Sequence, residues 1–203
     1  MTKRWLKSSM VMVSLCIIVC ALVVGAVGCS SPDVSTPPDV STPPDTATPP
    51  DSPSLPEKLG LRVIEGEIEA PDFTIPTMTG TVITLSELRG TPVVLNCWAI
   101  RCPPCREELP YFDVAVKNYA GKVTILAVNL EEGVSKVKEF FGDKEPSYIV
   151  ALDKDTQVAS KYATGYIPNT FFIDSQGIIR YAKVGGFVNE EQLLASIEVL
   201  LNY

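Results

Sequence analysis

Histidine is absent from all 203 residues. That removes Ser-His-Asp and Cys-His nucleophilic systems, and the commonest metal ligand, in one step. Any proton transfer must then use a carboxylate, a lysine, a tyrosine, a thiol or water. Clustered cations are missing as well: beyond Lys3, Arg4 and Lys7 there is no Lys/Arg-rich run, and the formal net charge is −7. Phosphate backbones need grouped positive charge, so no nucleic-acid partner is expected. Cysteine is sparse where a core would form. Of the six, Cys16 and Cys20 lie in an apolar N-terminal run and Cys29 ends it, leaving Cys97, Cys102 and Cys105 for the globular part. That excludes a disulfide framework. No nucleotide or flavin motif is visible, and no cofactor or metal is expected.

Charge is also absent from Met10 to Gly28, directly after the basic start. This is the layout of a signal peptide over residues 1–28. The apolar run is long enough that a single spanning helix is the alternative. Either reading puts the downstream chain outside the cytoplasm. Ala26-Val27-Gly28-Cys29 resembles a bacterial lipoprotein processing box, although Leu is commoner where Ala26 stands. The resemblance implies cleavage before Cys29, lipidation of its sulfur and a membrane-tethered chain.

Residues 29–56 are a different material. The hexad Pro32-Asp-Val-Ser-Thr-Pro37 recurs as Pro38-Asp-Val-Ser-Thr-Pro43, then drifts through Pro44-Asp-Thr-Ala-Thr-Pro49. Such a segment lacks the apolar residues for a core and is expected to stay extended. At about 3.1 Å per residue, a polyproline spacer of this length reaches up to roughly 80 Å. A globular, mildly acidic domain is expected over 57–203.

Within that domain Val63-Ile64 and Phe73-Thr74-Ile75 read as edge strands or an N-terminal β extension. Val82 to Leu85 reads as a strand, and Ser86 to Arg89 as one helical turn stopped by Gly90. Val93 to Trp98 is too uniformly apolar for a half-exposed strand and should be central. A helix follows from Cys102 to Tyr119, interrupted by Pro110. Val123 to Asn129 is a second buried strand, Val134 to Phe141 a helix, Tyr148 to Leu152 a strand and Gln157 to Tyr162 a short helix. Thr170 to Asp174 and Ile178 to Val184 form a hairpin. Asn189 with Gln192 resembles a capping box opening a final helix. This order predicts an α/β fold with a mixed central sheet flanked by helices.

Cys102-Pro-Pro-Cys105 is the chemically informative motif. At a helix N-terminus, free N–H groups and the macrodipole favour a thiolate on the first cysteine. That thiolate attacks a substrate disulfide, and the second cysteine, one turn on, resolves the mixed disulfide. Cys102 is therefore expected as the exposed nucleophile and Cys105 as the resolving thiol. Pro103 and Pro104 fit the first turn but leave fewer donors near Cys102. Half a zinc site or a structural disulfide are the bland readings. Zinc lacks ligands here, and a disulfide closing so small a loop would stabilise little.

Asn96-Cys-Trp-Ala-Ile-Arg-Cys-Pro-Pro-Cys-Arg-Glu-Glu-Leu-Pro110 resembles the active-site segment of thioredoxin-like proteins. It is most similar to the extracytoplasmic ResA/TlpA type of thiol-disulfide oxidoreductase, related to the AhpC/TSA and Redoxin group. Ala70-Pro71-Asp72-Phe73, Leu85-Ser-Glu-Leu-Arg-Gly90 and Tyr166-Ile-Pro-Asn-Thr-Phe-Phe-Ile-Asp174 match it too. The resemblance implies a thioredoxin-like fold and three further roles. Pro168 aligns with a cis-proline facing the dithiol, which would present the backbone of Ile167 to substrate. Glu108, three residues after Cys105, aligns with a helix carboxylate that serves the resolving thiol. Trp98 aligns with an active-site tryptophan at the substrate side, where it would shield the dithiol; a plain core aromatic is the other reading.

Departures from the pattern are Arg101, where Trp is common, Asn96, where cytoplasmic thioredoxins carry a buried Asp, and Cys97 in place of Phe. Arg101 would favour the Cys102 thiolate and attract acidic partners. Asn96 removes that Asp-based proton route. Cys97 reads as a small buried apolar residue. The expectation is a tethered reductase of protein disulfides, with apocytochrome c leading as substrate and copper-centre assembly proteins next. Its electrons would come from a membrane thiol relay. The alternatives are a peroxiredoxin-like thiol peroxidase, disfavoured because Ala99 stands where that chemistry needs Thr, and a disulfide oxidase of the same fold.

Overall fold

The computed structural model describes residues 53–162 and 165–203. All fall within one compact unit, Thr48–Tyr203. The leader, Cys29 and nearly all of the proline-rich spacer lie outside the described residues. Order begins earlier than the expected boundary at residue 57. Helix α1 spans Leu55–Lys58, and the Glu57 carboxylate accepts from the Ser54 N–H at 2.7 Å and its hydroxyl at 2.9 Å. A capping residue and its carboxylate three positions on make a local helix start that composition alone concealed.

Strand β1 (Arg62–Val63) lies at one edge of the main sheet, and β2 (Thr74–Pro76) and β3 (Val82–Thr84) form a separate two-stranded ribbon. A 3₁₀ turn, Leu85–Leu88, leads to β4 (Val93–Trp98), buried at every position. Helix α2 follows at Pro103–Asn118 and runs through Pro110. Then come β5 (Thr124–Leu130), α3 (Val134–Phe141), β6 (Ile149–Asp153) and α4 (Ala159–Tyr162). The hairpin β7 (Asn169–Ile173) and β8 (Ile179–Val184) and helix α5 (Glu190–Leu201) complete the chain. The Asn189 side chain accepts from Gln192 N at 2.9 Å, as the cap pattern predicts; in return Gln192 Oε1 accepts from Val188 N–H. Among the described residues no helix is long and apolar enough to cross a membrane.

The main sheet has the order β1-β8-β7-β4-β5-β6. Strands β4, β5 and β6 are parallel, while β7 and β8 run antiparallel to their neighbours. The mixed sheet is thus as expected. Alternation along β4 sends Val94 and Trp98 into the core shared with α2 and α5, and Val93, Leu95 and Cys97 into the core on the opposite face. Asn96 faces the α2 side with Val94 and Trp98. The C-terminal end of β4 feeds directly into the Cys102 segment, so the sheet fixes where that segment starts.

Candidate active site

Pro103 and Pro104 occupy the first turn of α2 and Cys102 is its N-cap residue, with extended backbone. Proline is tolerated there because those N–H groups have no intrahelical partner. The first free amide is Cys105 N–H, which donates to Cys102 Sγ at 3.3 Å. Cys102 and Cys105 form a disulfide. Cys102 keeps 8% of its surface exposed and Cys105 none. The order of accessibility is the one expected, although Cys102 is nearly buried in this oxidised form.

The opposite wall comes from the segment before β7. The Ile167–Pro168 peptide bond is cis, and the Ile167 carbonyl oxygen lies 3.6 Å from Cys102 Sγ. Pro168 is buried and its carbonyl accepts from Gly185 N at 2.9 Å. Gly186 also closes on the helix: a Cβ there would sit 3.3 Å from the Pro104 carbonyl oxygen and 3.5 Å from Glu108 Oε2. That close approach is the reason for a glycine at this position.

Glu108 lies one turn after Cys105 on the same helix face and is fully buried. Its carboxylate accepts from Asn96 Nδ2 at 2.9 Å and from Phe187 N at 3.0 Å. Burial pushes its pKa up to about 7, against the downward pull of those two donors and of Lys183. Asn96, read from sequence as the loss of an Asp-based proton route, is a partner that holds Glu108. Its amide also donates to Thr170 Oγ1 at 2.9 Å. Glu107 is exposed.

Trp98 requires a correction. Expected at the substrate side, it is fully buried and packs 5.6 Å from Phe140 and 5.8 Å from Phe141, centroid to centroid. It belongs to the same core cluster as both cysteines. Strand parity places it in the core on the α2 side of the sheet, out of reach of a docking protein. Cys97, on the other face, is a free buried thiol. Burial, with a smaller contribution from the Asp153 charge, pushes it up to about 12, so it stays protonated.

Arg101 is not an unmatched cation: its guanidinium donates to Glu131 at 3.1 Å, with both side chains exposed. Next to it, the buried Glu132 accepts from Ile100 N at 2.8 Å, Asn129 Nδ2 at 2.9 Å and Lys136 Nζ at 2.7 Å. Burial raises the Glu132 pKa, but the Ile100 amide, the Lys136 ammonium and the Asn129 amide outweigh it and hold the group below its ordinary value. Glu131 and Glu132 thus tie down the link between Trp98 and Cys102. Sequence reasoning missed Glu132, because nothing local marks it. Lys183 was missed too; a lysine in the otherwise largely apolar Tyr181-Ala182-Lys183-Val184 was its one signal.

Comparisons with known proteins agree with this geometry. The AhpC/TSA family profile matches residues 67–182. The thiol-disulfide oxidoreductase ResA of Bacillus cereus is 36% identical over 126 residues, which is 62% of this chain and 72% of that protein. A Chlorobium tepidum structure described as a thiol:disulfide interchange protein DsbE is 31% identical, with a TM-score of 0.62. The match covers 68% of this chain and 99% of that one. StoA from Bacillus subtilis is 26% identical with a TM-score of 0.54, covering 64% and 97%.

Proposed function

Because this chain belongs to the AhpC/TSA family, and within it to the thioredoxin-like thiol-disulfide oxidoreductases of the ResA type, we propose that it reduces protein disulfides outside the membrane through Cys102 and Cys105. The observation that carries this reading is the Cys102–Cys105 disulfide at the start of α2. It sits where Cys105 N–H points at Cys102 Sγ and a buried carboxylate follows one turn later.

In the reduced protein the Cys102 thiolate attacks one sulfur of the substrate disulfide. An S–S bond forms between Cys102 and substrate, and the first substrate thiolate leaves. Cys105 then passes its proton to the Glu108 carboxylate, and its thiolate attacks Cys102 Sγ. The mixed disulfide breaks, the Cys102–Cys105 bond forms and the second substrate thiolate leaves. Two electrons have moved from the dithiol to the substrate, whose thiolates take up protons. The backbone of Ile167, beside Cys102 Sγ, is where an extended substrate segment docks, with Pro168 shaping that edge.

The oxidised pair is recharged by a membrane thiol relay, and apocytochrome c is the leading substrate. The basic start, the uncharged run Met10 to Gly28 and Ala26-Val27-Gly28-Cys29 support export and lipidation at Cys29, with the proline-rich segment as spacer. Expressed in a bacterium fed labelled fatty acid, the chain is expected to take up label, and Cys29→Ser to lose it; labelling of both would remove the anchor assignment.

The reduction potential of the Cys102/Cys105 pair tests direction. A reductase is expected near the thioredoxin end of the range, about −270 mV, with insulin disulfides reduced and hydrogen peroxide left unconsumed. A potential near −120 mV, on the order of the strongest dithiol oxidants, would make the chain an oxidase. Peroxide turnover would make it a peroxidase.

A further inference from the structure

One lysine on the α2 side of the sheet has no part in that scheme. In the sheet Asn96 stands opposite Thr170, and Thr170 opposite Lys183. Cross-strand partners share a face, so the three side chains form one polar row on the side that carries α2. The row two residues away on the same face is Val94, Phe172 and Tyr181, all core residues. The Asn96–Thr170–Lys183 row is therefore a polar interruption of an apolar face. All three of its members are buried, Lys183 to 8% exposure.

Glu108 lies over the Asn96 end of the row, bonded to that amide. At the other end, Lys183 Nζ is 5.5 Å from the centroid of Phe187, the residue whose N–H donates to Glu108. The groups against Glu108 are the Asn96 amide from β4 and Phe187 N–H and Gly186 from the β8–α5 loop, and Lys183 from β8 acts on it through its charge. Of these only Lys183 carries a positive charge. Against Lys183 stand the Phe187 ring, Gly60 from the segment after α1, and Glu108. Glu108 is the acid whose charge acts on Lys183.

Resting on the reading of Glu108 as acceptor of the Cys105 proton, we propose that Lys183 is a positioning residue for that transfer: its ammonium is the fixed counter-charge that keeps Glu108 a carboxylate when Cys105 must deprotonate. The proton moves from Cys105 Sγ to a Glu108 oxygen, and Lys183 stays an ammonium throughout. Burial alone drives Glu108 towards its neutral form, which cannot accept a proton. Lys183 opposes that drive through its positive charge.

The reduced full-length chain, mixed with a chromogenic aromatic disulfide, releases one coloured thiolate when Cys102 attacks and a second when Cys105 resolves. The pH profile of the second release isolates the proton transfer. In Lys183→Met and Lys183→Gln its rise is expected to move up by about one pH unit, which is about tenfold less Glu108 carboxylate, and a correspondingly slower release, on the acid side. Lys183→Arg keeps the wild-type profile. In a Glu108→Gln background Lys183→Met changes nothing further. Unshifted profiles in both neutral variants overturn the proposal, and so does a shift that persists in full when Glu108 is already Gln. If Glu108→Gln by itself leaves the second release unchanged, the reading of Glu108 falls and this proposal falls with it.

Discussion

Cys102→Ser abolishes disulfide reduction, and Cys105→Ser converts the chain into a trap. A serine hydroxyl has no thiolate to offer at neutral pH, so the first S–S exchange does not begin. Insulin reduction by Cys102→Ser is expected at the uncatalysed rate. Cys105→Ser is different because of one bond. The group that donates to Cys102 Sγ is the backbone N–H of residue 105, not its side chain. The substitution leaves that donor and the helix start in place, so Cys102 still attacks. Without a resolving thiol the mixed disulfide persists, and non-reducing gels of cells carrying Cys105→Ser are expected to show partners covalently joined through Cys102. Adducts retained in the Cys102→Ser, Cys105→Ser double variant would show that another cysteine forms them and would refute the assignment. Cys97 is no such substitute, being buried and held protonated.

Glu108→Gln is expected to slow the resolving step by about 10²-fold at pH 7, the low end of what a positioned acid or base supplies. Its second consequence concerns stability. The carboxyl is raised from its ordinary 4.5 to about 7 by burial. Between those values the folded chain holds the proton more tightly than the unfolded chain. The contribution of Glu108 to stability is therefore largest below pH 4.5, falls as pH rises towards 7, and levels off above it. The full fall is about 3 kcal/mol for a shift of this size. Urea unfolding at pH 5 and pH 8 measures it: the wild type is expected to lose stability across that interval, and Glu108→Gln to lose markedly less. An equal loss in both would show that Glu108 does not titrate in that interval.

The strand-and-helix order was readable because its signals are local. The apolar run of β4, the prolines at the first two positions of α2, the Asn189 cap and the β7–β8 turn each depend on residues a few positions apart. Misreadings arose where locality failed. The resemblance put Trp98 at the substrate side with a core aromatic as the alternative, and strand parity turned the ring into the core. Composition put Leu55 in the spacer, but the Ser54–Glu57 cap drew it into α1. Arg101 reads as a cation acting on Cys102 and on acidic partners, and Glu131, thirty positions on, pairs with it.

The dithiol, its spacing, its place at the head of a helix and the absence of any histidine to assist it were determined by the sequence alone, since covalent spacing and helix capping need no partner from elsewhere in the chain. The environment of the resolving thiol was decided by tertiary structure. Glu108 meets Asn96 twelve positions away and Phe187 seventy-nine positions away, and Lys183 reaches the same buried row only through strand register. Whether a buried carboxylate is charged depends on which donors and charges surround it after water has left, and that assembly exists only once β4, β7 and β8 have paired beneath α2.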